Sequence, residues 1–170
     1  MKKILILFVT PICSLLLNAS KAQTAAADNK LSKSITFRPI PKGPSVFGVF
    51  EGRPPCREIA KQVDSPASAE CTKVKWSLVL YQDSITKQPS VYHLLGRFLP
   101  ADGKWKIIKG IKSNPDAEVF QLDTGKPGAY FYFLKGDNNV LFILDENKAF
   151  RVGNEDFSYT LNRVELVPKK

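Results

Sequence analysis

From Val46 onward the chain runs with a period of two. In Val74-Lys75-Trp76-Ser77-Leu78-Val79-Leu80 the even positions are all apolar, and Lys75 and Ser77 alternate with them. Successive side chains of an extended strand point to opposite faces, so this pattern suits a strand buried on one side. Similar runs recur at Val46–Glu51, Ser90–Leu99, Lys104–Ile111, Glu118–Leu122, Ala129–Lys135, Val140–Leu144 and Phe157–Val167. Asp102-Gly103, Lys126-Pro127-Gly128, Gly136-Asp137-Asn138-Asn139 and Asp145-Glu146-Asn147-Lys148 supply residues that accept the dihedrals of tight reversals. No long 3.6-residue stripe competes. Only Arg57–Ser68 suits a short helix, which Pro66 would end. About eight short strands within residues 46–167 predict an all-β domain, and an up-and-down barrel is the closed form that leaves no open edge.

Two of these runs are apolar on both faces: Ala129-Tyr130-Phe131-Tyr132-Phe133-Leu134 and Val140-Leu141-Phe142-Ile143-Leu144. A strand of this kind is either covered twice or faces a cavity on one side. The first reading is a dense core with an outer cover. The second is an apolar ligand cavity lined by Trp76, Trp105 or the tyrosines.

The N-terminal segment bears on location. Lys2-Lys3, the apolar run Ile4–Leu17, and Asn18-Ala19-Ser20-Lys21-Ala22 follow the charged, apolar, small-residue order of a secretory signal peptide, residues 1–22. The apolar run is shorter than the ~20 residues that span a bilayer. Export is therefore expected, to the periplasm or beyond, without a membrane-spanning segment. Residues 23–45 are small, polar and proline-punctuated, as in Arg38-Pro39-Ile40-Pro41-Lys42-Gly43-Pro44, and read as a flexible arm or linker.

Cys13 lies within the signal and leaves with it, and Thr10-Pro11-Ile12 before it does not match a lipid-attachment sequence. The mature chain then keeps an even pair, Cys56 and Cys71, which reads as a disulfide in an oxidising compartment. The net charge of +9 is partly carried by the signal. With no zinc-finger, RRM-like or helix-turn-helix pattern, the remaining positive charge suits anionic envelope surfaces rather than nucleic acid.

No catalytic constellation emerges. His93 is the one histidine, set on a strand in Val91-Tyr92-His93-Leu94-Leu95. Neither a Gly-x-Ser-x-Gly elbow, a His-Glu-x-x-His pair nor a P-loop is present, and the adjacent carboxylates Glu155-Asp156 resemble solvated loop charges. A non-enzyme without a cofactor is expected. Soft-metal ligands in the mature chain reduce to Cys56, Cys71 and His93, and oxidation of the cysteines would remove two of them.

Gly52-Arg53-Pro54-Pro55-Cys56, Cys71-Thr72-Lys73-Val74-Lys75-Trp76-Ser77-Leu78-Val79-Leu80-Tyr81, Tyr92-His93-Leu94 and Gly103-Lys104-Trp105 together resemble the N-terminal domain of the NlpE family. These are envelope lipoproteins associated with copper resistance and envelope stress. Ala129–Phe133 and Asn139–Asp145 fit the closing strands of that domain. The resemblance covers most of Val46–Val167 and implies a small lipocalin-like barrel at the bacterial cell envelope. The chain departs from the family in two ways: family members usually carry their cysteines as Cys-x-x-Cys, and they usually carry a lipid-attachment cysteine. The expected function is that of a non-catalytic barrel binding a small apolar ligand or an envelope partner, with a metal-responsive protein using reduced Cys56 and Cys71 as the alternative.

Overall fold

Strands dominate the computed structural model, which describes residues 32–36 and 38–165. The expected signal peptide and the first part of the arm lie outside the described residues. The elements are β1 (Ser32–Lys33), β2 (Val46–Gly52), α1 (Cys56–Gln62), β3 (Trp76–Gln82), β4 (Pro89–Leu95), β5 (Asp102–Ile111), β6 (Asn114–Asp123), β7 (Tyr130–Lys135), β8 (Val140–Ile143) and β9 (Thr160–Glu165). Each of β2 to β9 pairs antiparallel with its neighbour in sequence, save that α1 follows β2. The sheet closes where β9 meets both β8, through Leu141↔Leu161, and β2, through Phe50↔Arg163. The result is the expected antiparallel barrel of eight strands, with β1 added in parallel to β9.

Alternation decides what fills the barrel. Phe50, Trp76, Leu78, Leu80, Phe120, Leu122, Phe131, Phe133, Leu141 and Leu161 point inward and are buried in one cluster. Trp76 meets Phe131 edge-on at 5.4 Å, Phe131 meets Phe133 at 5.3 Å, and Trp105 meets Phe120 at 5.1 Å between ring centroids. Burying side chains of this kind stabilises a fold by about 1.5–3 kcal/mol each. The two-sided strands take the covered form. On the outer side of β5 to β8 a second cluster gathers Val119, Leu134 and Leu144, with Ile108, Tyr132 and Phe142 packed against it.

The described part of the arm lies along the outer face of β2 to β4. Ile40 packs on Val49, Val79 and Val164. The buried Glu51 carboxylate accepts hydrogen bonds from Ser34 Oγ, Ile35 N–H and Thr36 Oγ1.

Several boundaries differ from the sequence reading for local reasons. Helix α1 stops at Gln62, well before Pro66, because Asp64 turns left-handed with φ 51°. Asp64 N–H then bonds Lys61 O and Ser65 N–H bonds Ala60 O, the paired closure of a Schellman cap. Strand β4 ends at Leu95 rather than Leu99, since Gly96 comes up against the Trp76 ring and leaves no room for a Cβ. Asp102-Gly103 belongs to β5 rather than to a reversal. Gly103 sits there because a Cβ would lie 2.6 Å from the Tyr92 ring. Lys126-Pro127-Gly128-Ala129 does form the expected reversal, with Gly128 at φ 75° and Ala129 N–H bonded to Lys126 O.

Candidate functional site

The pleat that fills the barrel also leaves its ends to be closed by connections. The β2–β3 connection with α1 lies at one end, together with the β4–β5, β6–β7 and β8–β9 connections. Cys56 opens α1 beside Thr72, which accepts the Cys56 N–H, and Cys56 and Cys71 lie at disulfide distance with Cα atoms 5.7 Å apart. Buried Ile59 joins the barrel core, so the helix caps this end. Three of these connections enclose a cleft of about 230 Å³, lined by residues that include Gln62, Val63, Asp64, Phe98, Lys126 and Tyr130. Val63 and Phe98 also pack on the barrel core, so the floor of the cleft is apolar.

Backbone conformation shapes its walls. Asp64 and Phe98 both have positive φ, 51° and 81°. For a bulky residue such as Phe98 this conformation is a genuine outlier, and such residues concentrate at ligand clamps and switches. Trp76 Nε1–H holds the preceding residue by bonding Arg97 O at 3.0 Å.

The polar groups of the cleft come from separate elements. Lys126 Nζ reaches Val63 O at 3.4 Å, and Thr124 Oγ1 donates to Ala129 O at 2.9 Å. Arg151, from the β8–β9 connection, donates to Gln62 Oε1 and to Leu144 O, while its guanidinium lies 5.6 Å from the Tyr159 ring. Burial, with Glu58 nearby, raises the Tyr159 phenol above its ordinary pKa despite the opposing Arg151. Gln62 Nε2 is buried and has no hydrogen-bond partner among the described residues.

The residues singled out from sequence are dispersed. His93 faces outward on β4, where Nδ1 lies 2.6 Å from Asp102 Oδ1 in a solvent-facing pair. Among the described residues no hydroxyl or thiol hydrogen-bonds to it. Glu155 and Asp156 sit exposed in the β8–β9 connection, and Glu51 ties down the arm. Among the described residues no group of three His, Cys, Asp or Glu side chains is placed to hold a metal ion, so Cys56, Cys71 and His93 are not gathered into one site. Trp76 and Trp105 are core residues, buried to 0% and 3% exposure, and of the tyrosines Tyr130 lines the cleft. Gln62, Asp64, Phe98 and Lys126 escaped the sequence reading. They come from connections, which carry no periodic signal. The nearest clue was Phe98-Leu99, an apolar pair left over beyond the end of β4.

No helix among the described residues is long and apolar enough to cross a membrane. Fold and site together define a closed eight-stranded barrel with a filled interior and a cleft at its helix-capped rim. Compared with known proteins, the chain matches no family model, and no curated protein or solved structure is significantly similar to it.

Proposed function

We propose that this chain is an exported, non-catalytic barrel of the bacterial cell envelope, with an NlpE-like role in envelope stress or copper resistance, and that it works by holding a small apolar ligand in the rim cleft. The observation that carries the reading is the contrast between a barrel interior occupied by its own aromatic side chains and an apolar, aromatic-walled concavity beside α1. Ligand pockets are typically concave and apolar with a few convergent polar groups, and span about 300–1,000 Å³. At about 230 Å³ this cleft suits a molecule of one ring or a short chain.

The envelope setting draws on the charged-apolar-small start of the chain and on a cysteine pair suited to an oxidising compartment. The remaining positive charge suits attraction to anionic envelope surfaces. The metal-responsive alternative requires Cys56 and Cys71 as free thiols, which thiol counting on protein purified from the periplasm decides. Ligand binding is tested by titrating the full chain with a panel of small lipophilic compounds while following tryptophan fluorescence. Trp76 is bonded to Arg97, next to Phe98, and so reports on the cleft. A saturable change that Phe98→Ala weakens is the expected result. No saturable response across the panel refutes the proposal.

A further inference from the structure

At the end of the barrel away from α1, β2 and β9 are joined through the ladder pairs Phe50↔Arg163 and Glu51↔Asn162. Next to this join Phe47 is left out of the β2–β3 register, which steps from Val46↔Tyr81 to Gly48↔Leu80. Phe47 is thus the extra residue of a β-bulge. Arg163 reaches across. Its Nη1 donates to Phe47 O at 3.0 Å, and its Nε donates to Asn138 O in the β7–β8 turn. The guanidinium lies 4.6 Å from the Phe50 ring centroid and 5.8 Å from that of Phe47. It presses on Gly48 so closely that a Cβ there would strike Nη1.

A guanidinium held this firmly still has donors to spare. It carries five N–H groups, and the two bonds to Phe47 and Asn138 use two of them. Nη2 donates to nothing among the described residues. It is also open to solvent, because Gln62 Nε2 is the only buried side-chain polar atom without a partner among those residues. No described carboxylate lies within ion-pair distance of Arg163. Burial lowers its pKa with no opposite charge acting against the shift, the mark of a cation that has lost water without gaining a counter-ion.

A groove of about 350 Å³ passes this guanidinium, between the arm and the β2–β9 join. Gly48 and Arg163 form part of one side, Ile40, Val46 and Val164 supply apolar walls, and Lys42 brings a second positive charge. No Asp or Glu is among its lining residues. Its volume falls in the ~300–1,000 Å³ range of ligand pockets. We infer that this groove binds a small amphiphilic anion, with its carboxylate or phosphate on Arg163 Nη2 and Lys42 and its apolar tail against Ile40, Val46 and Val164. The guanidinium fork matches either headgroup, and its contacts to Phe47, Phe50 and Asn138 orient it before the ligand arrives. The site is separate from the rim cleft, which lies at the α1 end of the barrel.

The test compares hexanoate, hexyl phosphate and hexanol on the full chain, by calorimetry at low salt and by amide chemical-shift mapping. At least one of the two anions is expected to bind about tenfold more tightly than hexanol, the usual scale for hydrogen bonds to a charged group. The tighter of the two identifies the headgroup, and parity identifies a site that reads the charge they share. The shifts are expected at Gly48, Val49 and Val164. Arg163→Lys keeps the charge but loses the fork, and is expected to remove most of the anion preference while leaving hexanol unchanged. Because Arg163 also ties β9 to the β7–β8 turn, Lys42→Ala gives an independent reading on an exposed residue. It is expected to weaken the anions about threefold, an effect that added salt diminishes. Hexanol binding as tightly as both anions overturns the inference. So does anion affinity unmoved by Lys42→Ala and Arg163→Lys, or shifts confined to Val63, Asp64 and Phe98 at the rim. Binding by none of the three probes overturns it as well.

Discussion

Replacing Phe131 by alanine tests whether the barrel interior is filled. Phe131 is fully buried; it packs edge-on against Trp76 at 5.4 Å and at a tilt against Phe133 at 5.3 Å between centroids. Removing the ring forfeits a transfer free energy of about 2–3 kcal/mol. It also leaves a void on the order of 100 Å³ before relaxation, which at ~24 cal/mol per Å³ adds about 2 kcal/mol. The sum, about 4–5 kcal/mol, lies within the ~3–5 kcal/mol range of phenylalanine deletions in tightly packed cores. It corresponds to a fall in Tm on the order of 10–20 °C. Urea titration followed by tryptophan fluorescence measures the loss, because Trp76 sits against the deleted ring. An apolar void of this kind stays dry and takes up benzene, so benzene is expected to restore part of the lost stability to the variant. A loss below about 2 kcal/mol, with no response to benzene, would mean that the space around Phe131 was already open. A ligand could then enter the barrel itself, and the rim cleft would no longer be the favoured site.

Further expectations follow from other contacts. Cys71→Ser should cost about 3 kcal/mol, the entropy of a loop whose ends are 15 residues apart, and the protein without residues 1–22, and so without Cys13, should show no free thiol on denaturation. Glu51→Ala orphans the donors of Ser34, Ile35 and Thr36 and should cost about 2 kcal/mol, with hydrogen exchange at the Ile35 amide accelerating as the arm loosens. Tyr92 is pushed up to about 12, first by burial and then by Asp123 and Asp102. Its unfolded phenol ionises near 10 and its folded one later, so its contribution is full below pH ~10 and is lost as pH rises toward ~12. Urea melts at pH 9 and pH 11 should show that decline, and Tyr92→Phe should reduce it.

Much of this architecture was legible in the sequence because the barrel repeats a single physical rule. Val74, Trp76, Leu78 and Leu80 alternate with Lys75 and Ser77, and the structure places that apolar series inward. Lys126-Pro127-Gly128 announced its reversal through a proline-preset φ followed by a residue free to take φ 75°. Asp102-Gly103 misled because a glycine needed for the approach of Tyr92 looks identical in sequence to a glycine needed for a turn. The outer cover of β7 and β8 could not be told from a cavity wall, since both demand apolar side chains. The docking of the arm on Glu51 was hidden as well, because a glutamate next to a glycine carries no mark of what will satisfy it. The cleft was the least legible part. Its residues are drawn from separate connections, which carry no periodic signal.

Amide chemical-shift mapping of the full chain with benzamide addresses the central claim most directly. The account predicts that the largest changes fall on Val63, Asp64, Phe98 and Ala129 at the rim, while Leu78, Leu80 and Phe120 within the barrel stay still. Changes centred on Leu78, Leu80 and Phe120 would place the ligand inside the barrel and contradict it.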